Sequence, residues 1–168
     1  MIFDYFNENI WFGSSNELQV TSDVLINALH ESLNLEDDLK QIALFKSYML
    51  IKGLSIENYL KGKSIEIYKK YNPTIYYYEF GEIKKKVWKI NKGNGHQLTT
   101  IYKTCVNELK ENEKEFLERL ETFIDYAGKY HLPINPENYK PENLKILSQD
   151  KITEIQINKR IELILEKL

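Results

Sequence analysis

Along most of this chain apolar side chains recur every three or four positions, and strict alternation is almost absent. Between about Glu17 and Leu33 the recurring residues are Leu18, Leu25, Ile26, Leu29 and Leu33, which predicts a first helix with Leu25, Leu29 and Leu33 on one face. Asn34, followed by Glu36, Asp37 and Asp38, reads as a helix start, because Asn caps and acids suit the positive end of a helix dipole. The run from Leu39 to Leu60 is apolar nearly all round, so it is placed at the centre of a bundle, with Gly53 allowing a neighbour to approach and Gly62 ending or bending it. A helix is then expected from His96 to Leu109. Another should follow a capping box at Asn112 to Glu115 and stop at Gly128 in the left-handed conformation.

The stretches between these helices carry different signals. Met1 to Ser15 is rich in aromatics and ends in Gly13-Ser14-Ser15, so residues 1–16 read as an arm packed on the body before a turn. Residues 72–95 form an irregular connection rich in tyrosine and lysine, with a short helix expected near Glu82 to Ile90 and a glycine turn at Gly93 and Gly95. Pro133, Pro136 and Pro141 enforce an extended excursion, and a last amphipathic helix spans about 149–168. The reading is all-α: one antiparallel helical bundle with its core at about 17–139 and a long central helix.

Composition narrows the chemistry. A chain of 168 residues suits one domain, and a formal net charge of -2 gives no overall attraction to nucleic acid or anionic membrane, so any such binding must come from local clustering. Only Arg119 and Arg160 carry a guanidinium, which leaves few places for a bidentate phosphate clamp. The lone Cys105 excludes an intrachain disulfide and reads as a packed small hydrophobe. Without a secretory signal or a bilayer-length apolar run, the expected setting is cytoplasmic, with no membrane association. His30, His96 and His131 show no metal-ligand spacing, and neither metal nor cofactor is expected.

Three groups of residues carry candidate chemistry. Glu57 and Lys61 stand four apart on the central helix, where they either pair structurally or orient a polar ligand, and His96 opens the helix expected to pack beside them. Lys129, Tyr130 and His131 follow a helix stop, which projects them from the end of the bundle as a binding loop or a stiff connection. Lys84, Lys85, Lys86, Lys89 and Lys92 surround Trp88 and follow Tyr76 to Tyr78. That combination can track phosphates and stack on bases, or simply solubilise a helix face.

The order of three motifs resembles the HEPN superfamily of helical domains. Ile51 to Lys61 is similar to its apolar helix with a Glu-x-x-x-Lys pair, and Gly95-His96-Gln97-Leu98 is similar to its Gly-His-Asp-Leu helix start. Ala127-Gly128-Lys129-Tyr130-His131-Leu132-Pro133 resembles the Ala-Gly-Arg-Tyr-Pro-x-Pro turn of bacterial members. The resemblance covers about 39–139 and implies a binding or assembly module in bacterial stress, toxin–antitoxin or phage-defence biology. Its nucleases carry Arg, four to six residues, then His. Arg119 lies twelve positions before His131 and Arg160 precedes no histidine, so intrinsic catalysis is not expected. The alternatives are a divergent metal-independent RNase using His96 or His131, with Lys129 as a further catalytic candidate, and a structural subunit docking by its C-terminal helix. Expected partners are a protein or a second copy, with RNA or a nucleotide as the other ligand class.

Overall fold

The computed structural model describes residues 4–35, 37–77, 79–93, 95–129 and 136–168. Six α-helices carry the fold, and no strand occurs among the described residues. α1 (Glu8–Ser32) and α2 (Asp38–Tyr71) form a long hairpin; α3 (Phe80–Lys86), α4 (Leu98–Cys105) and α5 (Glu111–Thr122) follow, and α6 (Asp150–Leu165) closes the order. α2 packs against α1, α4, α5 and the turn after α5, so it is the central helix. Among the described residues no helix is long and apolar enough to cross a membrane.

Two helices are longer than their sequence patterns suggest. α1 starts at Glu8, not near Glu17, so the aromatic arm is mostly helix: Asn7 caps it through Oδ1 to the Asn9 amide at 3.1 Å. Gly13-Ser14-Ser15 does not turn, because the segment is fixed by its partner. Ser15 Oγ donates to the Ser55 carbonyl at 2.9 Å, and Asn58 donates to Ser14 at 3.1 Å. Of the expected face, Leu29 is buried but Leu33 is exposed. α2 is capped by Asp37, whose Oδ1 accepts the Lys40 amide, in place of Asn34, and it continues through Gly62 to Tyr71. Gly62 is a packing site there: a Cβ would lie 2.5 Å from the Phe12 ring.

Other elements are shorter or end differently. α4 stops at Cys105, because Val106 turns to extended backbone, and it starts at Leu98 after Gln97, so His96 precedes the helix instead of opening it. α5 starts at Glu111, with Glu113 Oε2 accepting the Lys110 amide at 3.1 Å, two residues earlier than the Asn112 box. It ends in a π-helical turn, Phe123–Ala127, closed by the Gly128 amide on the Phe123 carbonyl at 3.0 Å. Gly128 is right-handed, φ −73°, and its lack of a side chain admits Leu50, whose Cβ would be 2.7 Å from a glycine-to-alanine methyl. The proline segment forms two single 3-10 turns, Pro136–Asn138 and Pro141–Asn143, stitched to α5 by Asn143 Nδ2 on Thr122 at 2.9 Å.

The core lies around α2 and gathers Leu60, Ile65, Ile83, Trp88, Leu98, Ile101, Leu117, Leu120 and Ile124. Leu50 and Leu54 are half-buried. α6 returns to this bundle with Ile157, Ile161 and Leu165 buried, so the seam of the C-terminal helix is covered by its own chain; Ile152 and Ile155 stay exposed. Tyr77 also packs inward, while Tyr76 stays exposed. Phe6 is fully buried and meets Tyr68, Tyr76 and Tyr77 edge-on at 5.1–6.3 Å.

Candidate functional site: a glutamate-seated histidine

Gly53, Glu57 and Lys61 lie at i, i+4, i+8 and form one stripe along α2. Gly53 lets α5 approach, since a Cβ there would stand 2.9 Å from Ile124 and 3.3 Å from the Leu120 carbonyl. That close contact buries the next two positions of the stripe. Glu57 is 3% and Lys61 6% exposed, and their ion pair spans 2.5 Å. Two buried charges need further partners. Lys61 Nζ has them in the rings of Trp88 at 4.9 Å and Trp11 at 5.1 Å, which meet each other edge-on at 5.0 Å. Trp88 also donates from Nε1 to the Lys61 carbonyl at 3.2 Å, which fixes the cage to the helix.

His96 supplies the third group. The turn before α4 has Gly95 at φ +98°, a backbone conformation that L side chains rarely adopt, and this bend delivers the imidazole to α2. Nδ1 of His96 lies 2.7 Å from Glu57 Oε2. Burial works against ionisation of Glu57, but the hydrogen bond from His96 and the charge and hydrogen bond of Lys61 outweigh it and hold the carboxyl below its ordinary range. An ionised carboxylate has no proton to give, so Nδ1 is the donor. The His96 side chain remains 29% exposed while its seat is buried. The start of α4 is anchored from α5, where Glu121 Oε1 accepts from the Thr99 amide at 2.7 Å and from its hydroxyl at 3.0 Å.

The structure therefore brings Glu57, Lys61 and His96 into one cluster, reached by the motif spacing. Trp11, Trp88 and Glu121 were not legible as members of it, because nothing local links them to α2. The lysine patch is taken apart. Trp88 is fully buried and has no face for a base; it is a wall of the Lys61 cage. Lys84 donates to the Gly93 carbonyl at 2.8 Å, and Lys86 lies 3.5 Å from Glu82 and over the buried Tyr77 ring at 5.1 Å. Lys85, Lys89 and Lys92 are exposed on the connector that leads to His96. Lys129 is exposed just past the π-helical turn, and Tyr130 and His131 lie outside the described residues.

Neither arginine is near His96 in partnership. Arg119 is 3% exposed and ion-paired to Asp150, and Arg160 holds Glu113 and the Glu108 carbonyl. Cys105 is buried and its thiol is pushed up to about 12 by that burial, which leaves it inert as a nucleophile. No group of acids, histidines and cysteines among the described residues has the arrangement to hold a metal ion. Comparison of the chain with protein-family models, with curated proteins and with solved structures finds no match.

Proposed function

We propose that this chain is a HEPN-like binding module that takes a phosphate-bearing ligand of the RNA or nucleotide class at the mouth of the Glu57–His96 pair and does not cut it. The observation that carries the reading is the seat itself: a partly exposed imidazole held at 2.7 Å by a buried carboxylate. Such an arrangement fixes the ring, while Lys85, Lys89 and Lys92 add exposed charge on the same connector. Cleavage needs a second group to stabilise charge at the reacting phosphate. The two guanidiniums are engaged in ion pairs elsewhere, and Lys61 is enclosed by Glu57 and two indoles. The setting in bacterial stress, toxin–antitoxin or phage-defence biology is the one that the resemblance implies.

The test is filter binding of a labelled single-stranded RNA across a salt series. Affinity should fall steeply with salt, by about tenfold on His96→Ala, and further when Lys85, Lys89 and Lys92 are changed together to Gln. RNA cut by the wild type and spared by His96→Ala would replace this reading with the divergent RNase. A second reading, assembly with a protein partner, is favoured by one observation. Leu33, Leu35, Leu39 and Ile42 are 50–80% exposed around the α1–α2 connection, an apolar cluster of the kind that marks contact surfaces.

A further inference from the structure

The α1–α2 hairpin has two sides, and they are covered differently. On one, Lys52 donates to Gln19 at 2.8 Å and α6 stands opposite across a cavity. The other is marked by Asn58 on α2, which donates to Ser14 on α1 at 3.1 Å. From Ser14 the positions on this side advance by four and three residues through Leu18, Thr21, Leu25 and Ala28. From Asn58 they step back in the same way through Leu54, Ile51, Ser47 and Leu44. Neither stripe holds a charge. Thr21 and Ser47 are exposed, and the other members are half-buried.

Among the described helices only α2 packs extensively on α1. Leu29 is accordingly the one apolar side chain of α1 that is buried, and Leu18, Leu25, Leu44 and Ile51 do not join the core around α2. Steps of four and three average 3.5 residues, the repeat by which helices of two chains mesh side by side. A surface without charge is also complementary to itself, since pairing it strands no ion.

Charge enters at the hairpin tip. Lys40 continues the α2 stripe one step beyond Leu44 and lies in the first turn of its helix. Gln41 Nε2 donates to the Ser32 carbonyl at 3.0 Å, which sets Lys40 level with the last turn of α1. That turn carries Glu31 and the negative end of the α1 dipole.

We infer that this side of the hairpin binds a second copy of the chain. The two hairpins stack about a twofold axis parallel to the helices, α1 of each over α2 of the other, as an intermolecular four-helix bundle. Leu18, Leu25, Leu44, Ile51 and Leu54 of both copies form its seam. Each Lys40 then meets Glu31 and the C-terminal turn of α1 in the other copy, whereas stacking α1 on α1 would separate these charges. This names the partner in the assembly reading and rests on that reading alone, not on the His96 site.

Sedimentation velocity of the whole protein over a concentration series reads the mass. The wild type should pass from one chain to two as concentration rises. Thr21→Arg combined with Ser47→Arg puts charge at two exposed positions of the seam, so it should keep the far-UV circular dichroism and remain a monomer. Val20→Arg, on the outer face of α1, should still dimerise. Lys40→Glu and Glu31→Lys should each weaken association about tenfold, and the double variant should recover it. A dimer that survives Thr21→Arg with Ser47→Arg, or a double charge reversal no tighter than the single ones, would overturn the proposal. So would a wild type that is monomeric at about 100 µM, which would leave the Leu33 to Ile42 cluster to a different protein.

Discussion

Two buried lysines nine positions apart on α2, Lys52 and Lys61, face opposite sides of the helix, since nine residues turn it by about 900°, half a turn beyond two full ones. Both are about 5% exposed, and each has a glutamate partner. They differ in what closes the rest of the shell. Around Lys61 the carboxylate is on the same helix and two indoles cover the ammonium, so the charge is walled in, while His96 on the other side of Glu57 stays partly exposed. Around Lys52 the partner comes from α6, is 21% exposed at its side chain, and the remaining space is a cavity. A buried cation that is fully enclosed positions its neighbours. One that lines an opening leaves its partner partly hydrated.

The largest expected difference is in stability. Lys61→Met leaves Glu57 buried without its cation and should cost about 3–5 kcal/mol, whereas Lys52→Met leaves Glu154 partly hydrated and should cost about 1–3 kcal/mol. Urea titrations of both variants measure the gap. Equal losses would show that the two shells do not differ in enclosure.

Glycines at the packed faces of α1 and α2 extend the comparison at smaller amplitude. Gly62→Ala drives a methyl into the Phe12 ring and should cost about 1–3 kcal/mol. Gly53→Ala meets Ile124 at 2.9 Å and the Leu120 carbonyl at 3.3 Å and should also cost about 1–3 kcal/mol. Gly13, with nothing within 4 Å of an added Cβ, is the control: Gly13→Ala should stabilise α1 by about 0.5–1 kcal/mol. A stabilised Gly62→Ala would mean that α1 does not seat on α2 at Phe12.

Acid tests the Lys61 face alone. The folded Glu57 carboxyl titrates below its unfolded value of 4.5, so it contributes stability that is present above that pH and is lost as pH falls through the lower folded value. Between neutral pH and about 3, the wild type should therefore lose stability more steeply than Glu57→Gln. Parallel curves would remove the stabilising bond between Glu57 and its two partners.

The sequence carried the central helix, the shared stripe of Glu57 and Lys61, and the approach of His96, because all three follow from periodicity and motif order. It misled at Gly13 to Ser15 and at Gly62. Turn-favouring residues were read by local propensity, yet Ser55, Asn58 and Phe12 supply tertiary contacts that override it. Trp88 was misread for a related reason: its flanking lysines suggest a surface, but only the fold shows the indole turned onto Lys61. The cavity beside Lys52 had no signal at all, since its walls come from α1, α2, α5 and α6 and the segment before α6, which lie far apart in the chain.

The account turns on His96 as the contact for a phosphate-bearing ligand, and the imidazole itself reports on that. ¹⁵N-resolved NMR of the His96 ring, recorded while single-stranded RNA is added, should show Nδ1 hydrogen-bonded to Glu57 throughout, a ring shift that saturates with the RNA, and RNA recovered intact. A ring that does not respond to bound RNA, or RNA that is cleaved as the ring titrates, would contradict it.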